Sequence, residues 1–237
     1  MSEIFLRRVL HGLEAIAFPD VCLCCGTQTT DARHLLCPYC LEERFEPAIN
    51  DHEPASSDVI LPEGLSLQQA LWKFDRRGAL QDLLHHMKYD GIKRIGREFG
   101  EFLGGRLKGH AHYQKLAADH RLLLVPVPLH GIKQRMRGYN QSRMIAEGLT
   151  EALSLPIVSE GAVVRVKNTR TQTGFTLDKR LQNLECAFAV REPEGFTGAT
   201  VMLVDDVFTT GATTFELWRT LREAGVEEGA VVTVAQA

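Results

Sequence analysis

No long apolar run occurs in this 237-residue chain. Residues 1–18 carry Ile4, Phe5, Val9, Leu13 and Ile16 at helical spacing, but Arg7, Arg8, His11 and Glu14 interrupt them. That pattern predicts an N-terminal helix and excludes a signal-peptide core or a membrane span, so a cytoplasmic protein without membrane insertion is expected. An excess of charge is also missing. The formal net charge of −3 argues against a surface built throughout to grip nucleic acid, although local basic patches fit within a balanced total. No internal repeat or low-complexity tract is present, which excludes a repeat array or a disordered tail. Nor does Gly-x-x-x-x-Gly-Lys-Ser/Thr occur, which removes the P-loop nucleotide site. What the chain does have is 44% hydrophobic residues, enough for a substantial core in one domain with an appendage.

The cysteines are clustered. Cys22, Cys24, Cys25, Cys37 and Cys40 lie close together, and only Cys186 is remote. Without a secretion signal this reads as metal binding before disulfides. Cys22-x-x-Cys25 and Cys37-x-x-Cys40 form two knuckles separated by eleven residues, a spacing that brings four thiolates to one tetrahedral Zn2+. Four sulfur ligands leave no open position, so the metal is structural. Reduced free thiols or a redox pair are the alternatives, and Cys24 could replace a neighbouring ligand. His34 is a weaker candidate.

The stretch from Val201 to Thr213 carries the chemistry. Val201, Met202, Leu203 and Val204 read as a strand buried on both faces, ending at Asp205 and Asp206. Thr209, Thr210, Gly211, Ala212 and Thr213 form a turn into a helical pattern that stops near Gly225. Backbone N–H groups at a helix N-terminus, threonine hydroxyls and a glycine suit a phosphate. Two carboxylates beside a phosphate site suit a ribose 5-phosphate, whose hydroxyls donate to the acids. The stretch resembles the binding motif of type I phosphoribosyltransferases, which bind phosphoribosyl pyrophosphate (PRPP) with Mg2+.

The remaining segments fit an α/β chain. Leu67 to Phe74, Leu122 to Val125, Ala162 to Val166 and Ala230 to Val234 read as strands, and Leu80 to Met87 and Ile95 to Leu107 as helices. Residues 46–64 combine three prolines with polar residues and read as a connection between an N-terminal module at 1–45 and a domain at 65–237. His85 and His86 read as a surface pair, because adjacent side chains on a helix diverge. From Gly131 to Arg143 the chain carries Lys133, Arg135, Arg137 and Arg143 and no acid, so an anionic partner or simply a solvated face is expected. Tyr139 would give that segment a stacking ring.

Taken together, the four-cysteine module, Lys88-Tyr89-x-Gly91, Pro126-Val127-Pro128-Leu129-His130, Arg137-Gly138-Tyr139-Asn140-Gln141, Thr171-Gln172 with Arg180-x-x-Asn183, and residues 201–213 resemble the ComF family. The resemblance implies a type I phosphoribosyltransferase-like, mainly parallel sheet flanked by helices, with a small zinc module at its N-terminus. It implies that Val127, Pro128, Leu129 and His130 hold the pyrophosphate end of PRPP. Asp205 and Asp206 would hold the ribose hydroxyls, and Thr209 to Thr213 the 5-phosphate. A flexible loop with Lys167, Arg170, Gln172, Arg180 and Asn183 would close over the ligand, with Arg170 and Arg180 offsetting charge on pyrophosphate. It also implies a part in natural transformation or the use of external DNA, alongside competence or helicase proteins. Transfer of phosphoribosyl to an unidentified acceptor is one reading. A non-catalytic protein holding single-stranded DNA on Lys133, Arg135, Arg137 and Tyr139 is the other.

Overall fold

Apolar residues alternate in direction along the central strands, and this builds two hydrophobic layers around one sheet. The computed structural model describes residues 21–29, 34–48, 59–119, 121–167 and 186–237. Its elements are α1 (Pro38–Glu43), β1 (Leu65–Lys73), α2 (Ala79–Tyr89), α3 (Lys93–Lys108), α4 (Ala111–Asp119), β2 (Arg121–Pro126), α5 (Gly131–Arg137), α6 (Gln141–Leu153), β3 (Val163–Arg165), β4 (Phe188–Val190), β5 (Ala199–Phe208), α7 (Ala212–Glu223) and β6 (Gly229–Gln236). A four-stranded sheet runs β1-β6-β5-β2, and every pairing in it is parallel. Met202, Val204, Ala230 and Val232 face the core shared with α2, α3 and α6. Val201, Leu203 and Val231 face the core under α7. Burial on both faces is what continuous apolar runs in a parallel sheet require. Among the described residues, no helix is long and apolar enough to cross a membrane.

Helices α3 and α6 meet unusually closely. Gly96, Gly100 and Gly104 recur along one face of α3, although a glycine inside a helix costs about 1 kcal/mol relative to alanine. The reason lies across the contact. A Cβ on Gly100 would stand 2.0 Å from the Ile145 carbonyl oxygen, and one on Gly148 would stand 1.9 Å from that of Arg97.

Three differences from the sequence reading have clear causes. The strand expected to end at the acid pair runs on to Phe208, because β6 continues alongside it and pairs Asp205 with Thr233 and Phe208 with Gln236. The strand at 163–165 is outside the main sheet and pairs antiparallel with β4, Val164 opposite Ala189. The connection expected at 46–64 is structured at both described ends. Pro47 bridges Trp72, the Ala48 N–H donates to the Leu71 carbonyl at 3.1 Å, and the Trp218 indole donates to the Glu63 carbonyl at 2.9 Å.

The cysteine segment joins the larger core: Cys22, Leu36, Cys40 and Phe45 pack in one cluster with Leu83, Ile95 and Phe99. Glu98 of α3 secures it. Only 3% exposed, its carboxylate accepts from the N–H groups of Leu35 at 2.7 Å and Leu36 at 3.1 Å.

Candidate functional site

Asp205 and Asp206 stand near the C-terminal end of β5, where open parallel sheets bind ligands. Asp205 Oδ1 accepts from the Ser142 hydroxyl and from the Asp206 N–H, both at 2.9 Å. Asp206 Oδ2 lies 2.8 Å from the Lys88 ammonium. Burial, together with the charge of Asp206, pushes the Asp205 carboxyl up to about 7, against the pull of its hydrogen bonds and of Lys88. For Lys88, burial pulls the ammonium's proton affinity down, but the charge and hydrogen bond of Asp206 together with the charge of Asp205 more than offset it and hold the group above its ordinary value.

Further cations lie near Lys88 and Asp205. The Lys133 ammonium is pulled down by burial and by the neighbouring charges of Arg165, Arg137 and Lys88, which places these four groups within one electrostatic cluster. Arg165 in turn feels the charge of Asp205. Two acids with cations nearby suit a ligand with hydroxyls at one end and phosphate at the other.

The two expected loops flank the acids. Gly211 has φ +74 and precedes α7, and a Cβ there would meet the Phe215 ring at 2.5 Å, so only glycine fits the turn. Thr209 is exposed and Thr210 and Thr213 are half-buried, while Ala212 is buried and its N–H reaches the Thr210 hydroxyl at 3.5 Å. On β2's side, Val127 is buried and its N–H donates to the Val204 carbonyl at 2.9 Å, so this amide is committed to the fold. Pro128 has no N–H. The donors this loop offers are therefore those of Leu129 and His130. The His130 ring caps α5, Nδ1 accepting from the Ile132 N–H at 3.3 Å.

The basic segment needs one correction. Tyr139, expected as a stacking ring, is 7% exposed, and its hydroxyl donates to the Met87 carbonyl. The exposed ring is Tyr89, at 62%, with the Arg137 guanidinium 5.2 Å from its centre. Arg135 is exposed and Lys133 half-buried. Lys167 is exposed beside β3, whereas Arg170, Gln172, Arg180 and Asn183 lie outside the described residues. Ser142, Arg165 and the role of Lys88 were missed by sequence reasoning; the Lys88-Tyr89-x-Gly91 motif was the available signal.

The sulfur atoms of Cys22, Cys25, Cys37 and Cys40 all lie within 4.8 Å of one another. Four sulfur donors in a closed cluster suit a tetrahedral structural zinc ion. The Gly26 N–H closes the first knuckle onto the Cys22 carbonyl at 2.8 Å, and the Cys37 N–H donates to Cys22 Sγ at 3.3 Å. Hydrogen bonds from the Thr27 hydroxyl and backbone lower the Cys25 thiol to about 6, favouring the thiolate a metal requires. Cys24 is not one of the four, and burial pushes its thiol up. His34 faces Glu98 at 3.7 Å and stacks on Phe102.

No protein-family model matches the chain. Among curated proteins, it is 42% identical to competence protein F of Haemophilus influenzae over 100% of both chains. It is 26% identical to the competence protein ComFC of Streptococcus pneumoniae over 88% of this chain and 85% of that one. With the DNA utilization protein YhgH of Escherichia coli the identity is 29% over 89% and 88%. A solved structure of the allosteric regulatory enzyme of purine biosynthesis is 22% identical over 58% of this chain and 25% of that one, with a TM-score of 0.35.

Proposed function

The chain belongs to the ComF family, and from that premise we propose that it binds PRPP with Mg2+ at the acid pair and supports the uptake or use of external DNA from the cytoplasm. The observation that carries this reading is the arrangement around β5: two adjacent carboxylates, Asp205 and Asp206, followed by a glycine turn at the start of α7 and flanked by the Pro126–His130 loop. In this reading the acids accept the ribose hydroxyls. The N–H groups at the start of α7, with the hydroxyls of Thr209, Thr210 and Thr213, take the 5-phosphate. Leu129 and His130 meet the pyrophosphate end, and Lys133, Arg137 and Arg165 supply positive charge nearby. Mg2+, a hard cation that takes oxygen ligands, fits a site of carboxylate and phosphate oxygens and would offset the charge of the pyrophosphate when bound. If an acceptor attacks the ribose, the protein's contribution is electrostatic: it positions the ligand and stabilises developing charge, with no side-chain nucleophile. Zinc at the four cysteines is structural in this reading.

The test is calorimetric titration with PRPP and Mg2+, followed by assay of pyrophosphate release in the presence of a mixture of nucleobases. Saturable binding that disappears in an Asp205→Asn/Asp206→Asn variant supports the reading. Release dependent on one base makes the protein a transferase, and equal binding by the variant and the parent refutes the assignment.

A second reading rests on Tyr89. An exposed ring flanked by Arg137, with Lys133 and Arg135 on the adjoining helix, combines stacking and phosphate-neutralising groups of the kind that hold single-stranded DNA. Its sign is salt-dependent binding to DNA of unrelated sequence, reduced by Lys133→Glu and Arg135→Glu.

A further inference from the structure

The two acids of β5 are engaged by different kinds of donor. Asp205 holds neutral ones, the Ser142 hydroxyl and the Asp206 N–H. Asp206 holds a charge: Lys88 Nζ lies 2.8 Å from its Oδ2, and the two side chains are only 23% and 16% exposed. An oxygen of the acid that the reading above gives to a ribose hydroxyl is therefore already paired within the chain. A hydroxyl brings that carboxylate an uncharged donor, whereas the ammonium brings a full opposite charge, so the hydroxyl alone does not displace it. A ligand that opens Asp206 has to bring positive charge of its own.

Both neighbours of Lys88 in the last turn of α2 are held from outside the helix. Met87 is fully buried, and its carbonyl accepts from the Tyr139 hydroxyl. The Tyr89 ring has the Arg137 guanidinium 5.2 Å from its centre and the His85 ring at 4.6 Å. Lys88 itself reaches Asp206 on a flexible four-carbon stem, whose rotamers move the ammonium without moving the helix. Charge limits where it can go. Arg137 and Lys133 lie close enough to act on Lys88 and repel it, so leaving Asp206 is unfavourable unless the ligand also supplies an anion.

A phosphorylated sugar carrying a divalent cation meets both conditions. We propose that Lys88 is a tethered counter-ion that guards the acid pair: it stays on Asp206 until such a ligand arrives, then passes to a phosphate oxygen while the ligand's own cation offsets the acids. This inference rests on the reading of the acid pair given above and adds its regulation. A divalent cation alone leaves Lys88 without an anion to receive it, and a sugar phosphate alone leaves Asp206 without a replacement charge. The two therefore bind as a unit, each raising the affinity for the other.

The experiment is titration of the full-length, zinc-loaded protein with Mn2+, a paramagnetic substitute for Mg2+ read by electron paramagnetic resonance, beside calorimetric titration with PRPP and Mg2+. Without PRPP, Lys88→Gln is expected to bind Mn2+ more tightly than the parent by about tenfold or more, because its acids have lost their internal cation. Lys88→Arg keeps the charge and should exclude Mn2+ as the parent does. Adding Asp205→Asn and Asp206→Asn to Lys88→Gln should abolish the gained binding. PRPP with Mg2+ should bind Lys88→Gln about tenfold more weakly than the parent, since a phosphate oxygen has lost its cation. Lys88→Met, which keeps an apolar stem, repeats both titrations if the Gln variant does not fold. Equal Mn2+ affinity in the parent and the neutral variant, a gain that survives loss of the acids, free entry of Mn2+ in Lys88→Arg, or undiminished PRPP affinity in the neutral variant would each overturn the proposal. A parent that binds no PRPP would refute the proposed function instead, and the Mn2+ comparison would still decide whether Lys88 bars cations from the acid pair.

Discussion

Lys88 Nζ lies 2.8 Å from Asp206 Oδ2, so the ammonium of α2 neutralises one acid of the candidate site across the fold. Replacing Lys88 with Gln leaves Asp206 beside Asp205 without its counter-charge. The expected cost is roughly 1–3 kcal/mol, less than for a fully buried pair because the Lys88 side chain is 23% exposed. Urea denaturation measures it. An unchanged midpoint would mean that solvent already screens the pair.

The pH dependence of stability follows from Asp205. Its carboxyl titrates near 3.8 in the unfolded chain and is raised to about 7 in the fold, so between those values the native state holds the extra proton. Stability is then fullest below the lower value and declines as pH rises toward about 7. Asp205→Asn should remove that decline and make the protein more stable than the parent at about pH 8. Thermal melts across this range are the check, and a variant that kept the parent's slope would exonerate Asp205. PRPP affinity is expected to move the other way, rising with pH as the carboxylate ionises to accept hydroxyls.

Glu98 is predicted to hold the cysteine segment on α3. Glu98→Ala strips the acceptor from two N–H groups, at about 1–3 kcal/mol for each donor left buried and unsatisfied. Glu98→Gln keeps one oxygen and should cost less. Burial raises the Glu98 carboxyl above the usual carboxylate range, so the neutral form is not foreign to the site. Metal release to a chelator should be fastest in the Ala variant, intermediate in Gln and slowest in the parent.

The thiols divide into two classes. Cys40→Ser should abolish stoichiometric metal and lower the melting temperature of the whole protein, because Cys40 is fully buried in the core shared with α2 and α3. Cys24→Ser should retain about one metal ion per chain. Elemental analysis decides, and metal loss in Cys24→Ser would reassign the ligand set.

Much of this arrangement was legible in the sequence, and the parts that were not share one cause. Leu122 to Val125 and Val201 to Val204 announce strands because burial on both faces demands unbroken apolar runs. The extension of β5 through Asp205 and Asp206 is invisible to hydropathy, because it depends on the pairing partners that β6 offers. The cysteine knuckles are readable from spacing alone. Tyr139 and Tyr89 look equally available in the chain; only packing buries the first under Met87 and exposes the second. Lys88 and Ser142 reach the acid pair from distant helices, a convergence that local pattern does not encode.

The glycine contact between α3 and α6 also limits how this protein can vary. Where two side chains meet, a larger residue on one helix can be balanced by a smaller one on its neighbour. At Gly100 and Gly148 the obstacle is a carbonyl oxygen of the opposite main chain, which no substitution can shrink. No compensating partner exists for either position, so the two stay locked to hydrogen in any descendant that keeps this helix spacing.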